Sequence, residues 1–143
     1  ADGPFSLFPG IDRTIALLDG AGLILDLPDG AEKLLSPVGT PFRFPGEWEI
    51  SSRNVDGGTM DLNIMTRRGR YKHRMTRRVF EPGATLSAVQ RQLLVPMSAG
   101  SVRLDTDDLG FDRFDCLILN AGEACTLGTT PVTMLDIEVW AVD

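Results

Sequence analysis

Asp61, Asn63, Met65 and Arg67 are spaced two residues apart. In an extended chain that spacing puts a carboxylate, an amide, a soft apolar group and a guanidinium on one side. Six residue rises spread the row over about 20 Å. Such a row suits a small acidic ligand: Arg67 for a carboxylate, Asn63 for a neutral polar group, Met65 as apolar wall. The plainer alternative is a solvent-facing row in which Asp61 and Arg67 are simply hydrated. The other side, Met60, Leu62, Ile64 and Thr66, reads as an ordinary hydrophobic sheet face. Arg13 follows a Pro9-Gly10 turn that Asp12 can hold by an Asx-type hydrogen bond, with Phe5 and Phe8 as aromatic anchors. It stands at a strand mouth as a second anion contact, and Arg77 is a further cation for a dicarboxylate.

His73 is the single histidine among 143 residues. One imidazole excludes sites built from two or three histidines, and the two cysteines, Cys116 and Cys125, are too far apart to suggest a zinc cluster. Both cysteines read as reduced core residues. No G-x-S-x-G elbow and no G-x-x-x-x-G-K-[ST] phosphate loop occurs, and Gly20-Ala21-Gly22 is not followed by a helical pattern. The expectation is a protein with no metal and no cofactor. His73 lies between Lys72 and Arg74, where neighbouring positive charge disfavours its protonated form. It is expected to be dispensable for ligand binding.

The elements that position these residues are short. Fifteen glycines and nine prolines interrupt the chain, and 43% hydrophobic with 24% charged residues is ordinary globular composition. No apolar run approaches the roughly 20 residues of a membrane-spanning helix. The pattern predicts strands at Thr14–Leu18 and Leu23–Leu27, joined as a hairpin, then at 41–44, Met60–Arg67 and Tyr71–Phe80. Further strands are expected at Thr85–Val89, Leu93–Val95, Ser101–Leu104, Asp115–Leu119, Ala124–Leu127 and Thr133–Val142. The one helical candidate is Asp56–Met60. Together these indicate an all-β antiparallel barrel or sandwich with little helix. Ala16–Gly22 resembles Leu117–Glu123, a candidate internal repeat that turn chemistry alone could also produce.

The net charge of −6 hides a segregation. Residues 62–80 hold Arg67, Arg68, Arg70, Lys72, Arg74, Arg77 and Arg78 with no acid, half of all the cations, on one expected hairpin. The Lys72, Arg74, Thr76 and Arg78 face reads by default as a solvated edge. As a phosphate track it would bind nucleic acid. Only Tyr71 lies near enough to stack bases, the protein is acidic, and no nucleic-acid motif appears, so nucleic acid is the weaker reading.

Three stretches together resemble a known family. They are Gly3–Arg13, which matches F-S-x-F-P-G-x-D-R; Leu18–Leu25, which matches a glycine-rich hairpin; and Asp61–Arg68, which matches D-x-N-x-M-x-R-R. The chain resembles the HutD/Ves family of cupin-like proteins associated with bacterial histidine utilisation. The resemblance implies a two-cupin architecture, with residues 1–143 as one cupin-like domain of two β-barrel halves. It implies a protein without established catalytic activity that binds a pathway acid of the urocanate or N-formylglutamate class, and it carries over Arg13, Asp61, Asn63, Met65 and Arg67. The family's upstream segment, rich in Trp, Asn and Gly, is expected to be missing ahead of Phe5.

The leading expectation is therefore a cytoplasmic, non-enzymatic binding protein that moderates histidine utilisation, with no membrane partner and a homodimer left open. The second is a metal-free cupin enzyme using His73, or Asp61 with a raised pKa, as proton carrier. The third is nucleic-acid binding through the basic hairpin.

Overall fold

The computed structural model describes residues 2–143. Among them are fifteen β-strands and no helix, hence none long and apolar enough to cross a membrane. The chain divides into two compact units, one made of the residues up to His73 with Ala141–Asp143, the other of Arg74–Trp140.

In the first unit β1 (Gly3–Pro4), β6 (Ser51–Asn54), β3 (Leu23–Asp26) and β4 (Glu32–Leu35) form one antiparallel sheet in that order. A second sheet orders β5 (Phe42–Pro45), β2 (Ile11–Asp19) and β7 (Met60–Arg67). Their facing side chains, including Ile15, Leu17, Leu23, Leu25, Leu35 and Phe44, make one core. β2 is buried on both faces from Arg13 to Leu18, which is why Ile15–Leu18 is a continuous apolar run rather than an alternation.

The second unit repeats the plan. β13 (Leu117–Leu119), β10 (Arg91–Pro96), β15 (Val132–Ala141) and β8 (Tyr71–Phe80, which enters this unit at Arg74) form one sheet. The other contains β12 (Asp107–Phe111), β11 (Gly100–Leu104), β14 (Ala124–Leu127) and β9 (Thr85–Ser87). Phe80, Leu94, Val102, Phe111, Leu127 and Met134 lie in its core.

Several expectations change. The runs on either side of Asp19–Gly22 are not a hairpin, because β2 and β3 belong to different sheets. The link is a corner at Gly20, whose φ is +115° and where a Cβ would lie 2.8 Å from the Gly58 carbonyl oxygen. Likewise Gly69 makes the expected tip after β7, with the Arg70 amide donating to the Arg67 carbonyl, but β8 joins β15 and not β7. Asp56–Met60 is not helical, since Asp56 and Gly57 both have positive φ, which a right-handed helix forbids. Four short or polar strands, β1, β4, β6 and β12, lack the apolar alternation that would reveal them. The Ala16–Gly22 and Leu117–Glu123 likeness is not the architectural repeat, because β2 is a central strand and β13 an edge. The equivalent strands are β2 and β10, β5 and β13, and β7 and β15, as their pairing shows.

One polar cluster locks the start of the first unit. Arg68 Nε donates to Asp12 Oδ1, and its two Nη atoms donate to the two Glu47 carboxylate oxygens, each at 2.9 Å. Glu47 also accepts the Gly10 amide at 2.9 Å. These bonds hold the Glu47 carboxyl down at about 2. Gly46 sits beneath the turn: a Cβ there would lie 2.3 Å from the Phe8 carbonyl oxygen and 2.9 Å from that of Ile11. Gly46→Ala is expected to lose roughly 1 to 3 kcal/mol in urea unfolding, the usual cost of overpacking. Gly58→Ala, with nothing within 4 Å of its Cβ, should stay within about 0.5 kcal/mol of wild type.

Candidate functional site

The antiparallel register decides what faces the interior of the first unit. Arg13 lies opposite Met65, Ile15 opposite Asn63, Leu17 opposite Asp61 and Ile11 opposite Arg67. Paired residues share a face, and Ile15 and Leu17 are core residues. Asp61, Asn63, Met65, Arg67 and Arg13 therefore occupy the interior-facing side of one sheet.

Arg13 is the centre of this arrangement and is only 5% exposed. Its guanidinium carbon lies 4.8 Å from the centre of the Phe44 ring and 5.2 Å from those of Phe5 and Phe8. Phe44 comes from the neighbouring β5, directly opposite Arg13. Phe5 and Phe8 are fixed by their own backbones, through Phe5 N–H to the Ile50 carbonyl and Phe8 N–H to the Gly46 carbonyl. Three ring faces attract a guanidinium by about 1 kcal/mol or more each when desolvated, which offsets part of the several kcal/mol that burying an ion costs.

Arg13 Nη2 donates to Asn63 Oδ1 at 2.9 Å, and Nη1 donates to the Ser6 carbonyl at 3.4 Å. Asn63 in turn donates through Nδ2 to Asp61 Oδ1 at 3.1 Å. The counter-charge thus stands one amide away from the guanidinium. Arg13 Nε is buried without a hydrogen-bond partner. Burial lowers the Arg13 pKa, and Asp61 opposes that shift.

The structure joins Arg13, Asn63 and Asp61 directly. Met65 and Arg67 share their face but occupy its exposed end, Met65 being 42% exposed. Arg77 belongs to the second unit, where its Nη1 lies 3.7 Å from Met97 Sδ and burial lowers its pKa. A groove of about 460 Å³ in the first unit shares Phe5 with the cage and carries Glu49 and Asp26, the latter paired with Arg53.

His73 has a different role from its neighbours. It is 3% exposed, with Nε2 2.7 Å from Thr14 Oγ1 and Nδ1 2.7 Å from Thr66 Oγ1. Thr14 and Thr66 project from the sheet face opposite Arg13, by alternation. Both ring nitrogens are engaged by threonines on the side of the sheet away from Arg13. Among the described residues no group of three His, Cys, Asp or Glu side chains converges, so the donor set does not fit a cupin metal centre. The Lys72, Arg74, Thr76 and Arg78 face is exposed on an edge strand, as expected, and two of its arginines are paired, Arg74 with Glu138 and Arg78 with Asp136.

Sequence reasoning selected the first-unit row from alternation and read Phe5 and Phe8 as aromatic anchors of the turn before Arg13. It missed Phe44, whose role depends on pairing between β2 and β5, and the second-unit acids Asp136 and Glu138.

The HutD family model matches residues 1–135. This chain belongs to the HutD family. A solved structure titled HutD from Pseudomonas fluorescens SBW25 is 25% identical, with a TM-score of 0.75, over 99% of this chain and 74% of that one. A conserved protein of unknown function from Pseudomonas aeruginosa PAO1 is 24% identical, with a TM-score of 0.83, over 99% and 78% respectively. A cupin 2 conserved barrel domain protein from Leptotrichia buccalis shares the fold at 15% identity and a TM-score of 0.64, over 98% and 78%. The fold is cupin-like, all-β and antiparallel.

The wedged histidine makes a pH prediction. Burial, and secondarily Arg43, lowers the His73 pKa, with Asp12 opposing. A lowered folded-state value means the unfolded chain binds the extra proton first, so stability falls as pH drops below about 6.5. Urea unfolding at pH 7.5 and 5.5 should show this loss in wild type. His73→Gln should be less stable at pH 7.5, through two disturbed buried hydrogen bonds, but should lose less between the two pH values. An equal loss in both proteins would place the titrating group elsewhere.

Proposed function

We propose that this protein binds a small acidic metabolite, of the urocanate or N-formylglutamate class, and moderates histidine utilisation without catalysing a reaction. One observation carries the reading. A guanidinium that is 5% exposed stands among three phenyl rings with its nearest counter-charge held off by an intervening amide. A ligand carboxylate supplies the direct counter-charge that the fold withholds. It also replaces its own lost hydration with charge-assisted hydrogen bonds.

The exposed end of the same face supports the approach. Arg67 receives the acid first, its planar fork suiting a carboxylate better than lysine would. Met65, directly opposite Arg13, is an unbranched side chain able to shift as the ligand settles. A dicarboxylate engages Arg13 and Arg67 together. Family membership supports the link to histidine utilisation, and the engagement of both His73 nitrogens by threonines favours binding over proton transfer.

Calorimetry with urocanate and N-formylglutamate tests this. Wild type should bind at least one of them. Arg67→Ala should fold normally and bind roughly 10- to 100-fold more weakly, the effect of one or two lost charge-assisted bonds. Arg13→Gln should lose more, with its melting temperature recorded to separate folding from affinity. Arg70→Ala, beyond the row at the turn, should bind as wild type does. Equal affinity in wild type and Arg67→Ala, or no uptake of either acid, overturns the proposal.

A further inference from the structure

The second unit has a polar cavity of its own, about 320 Å³, lined by Arg78, Phe80, Thr85, Ser87, Gln92 and Glu138. Its position in the unit follows from register. Gln92 pairs with Glu138 and Leu94 with Asp136, as Arg13 pairs with Met65 and Ile15 with Asn63. Leu94 and Met134 on this face are fully buried core residues, so Asp136 and Glu138 face the interior of their unit. The two units thus place polar groups at equivalent positions, and in each an amide is hydrogen-bonded to a buried charge. The sign of that charge differs: Arg13 in the first unit, Asp136 in the second.

Asp136 is 5% exposed. Gln92 Nε2 donates to its Oδ1 and Arg78 Nη1 to its Oδ2, each at 2.7 Å. Glu138, with its side chain 21% exposed, pairs with Arg74. Asp136 is buried and Glu138 half-buried on an inner strand of the sheet, whereas the Arg74 and Arg78 side chains are 64% and 55% exposed. Arg78 also lies over the Phe80 ring, 4.9 Å from its centre. Negative charge at the wall with exposed positive charge at the rim makes a site of both signs. A purely anionic ligand meets the carboxylates, and a purely cationic one displaces arginines that then gain nothing. A molecule carrying both charges satisfies both sets.

We propose that this cavity is a second ligand site, which takes a small zwitterion of the amino-acid class. Glu138 receives the ammonium, and Arg78, keeping Nη1 on Asp136, offers its remaining N–H groups to the carboxylate. Gln92, 7% exposed, keeps Asp136 in place beneath them. The hydroxyls of Thr85 and Ser87 suit a polar side chain, so L-glutamine is the probe of choice. This site is independent of the acid-binding reading of the first unit and stands if that reading fails.

The test is calorimetry with L-glutamine, 4-aminobutanamide and 5-amino-5-oxopentanoate, which differ only in keeping both charges, the ammonium alone or the carboxylate alone. Glutamine should bind saturably at millimolar concentration, and each half-charged analogue roughly 10-fold or more weakly, as loss of one charge-assisted pair implies. Glu138→Gln should lose glutamine affinity to a similar degree at an unchanged melting temperature, while Arg103→Ala, outside the cavity, should leave it unaltered. If either analogue matches glutamine, or glutamine is not taken up by the wild-type protein, the proposal is overturned. Because the three ligands are compared on wild type, that result does not depend on any variant folding.

Discussion

Arg13 carries a charge into an apolar interior, and much of the conspicuous sequence of the first unit keeps it there. Three phenyl rings from two separate stretches, Phe5 with Phe8 and the distant Phe44, close over one guanidinium. Asn63 accepts from it and passes the electrostatic influence on to Asp61. The turn that delivers Phe8 is held by Asp12, Glu47 and Arg68, and Gly46 leaves space for its backbone. An ion buried this way costs several kcal/mol unless it is compensated. The rings and the amide compensate in part, and the nearest carboxylate, Asp61, stays one amide away.

Strand alternation explains why the family stretches look so dense. In Asp12-Arg13 one residue points to the clamp and the next to the interior. In Arg67-Arg68 the order is reversed, with Arg68 in the clamp and Arg67 on the face it shares with Arg13. Each short motif therefore serves both faces of its strand, interleaved at period two.

The two units share a plan without sharing a chemistry. Equivalent pairs of strands, β2 with β7 and β10 with β15, hold equivalent amide-to-charge hydrogen bonds. A cation anchors the first and an anion the second. The basic segment from Arg67 to Arg78 is accordingly not one surface. Arg68 serves the clamp, and Arg74 and Arg78 neutralise the acids of the second unit.

Local pattern was enough to reveal the antiparallel β class, most of the longer strands, the tip at Gly69 and the face shared by Asp61, Asn63, Met65 and Arg67. Those features depend on alternation, turn residues and nearest neighbours, all of which a single stretch of chain encodes. Whether β2 pairs with β3 or with β5 and β7 is not encoded locally, because a glycine-bearing turn suits a hairpin and a corner between sheets equally well. Pairing across tens of residues brought Phe44 over Arg13, set His73 between Thr14 and Thr66, and gave the solvent-edge arginines Arg74 and Arg78 their partners Glu138 and Asp136. The sequence determined which side chains could carry charge and on which face of a strand they stand. Only the tertiary structure decided which charges met, because the energy of a buried ion depends on partners that are close in space and distant along the chain.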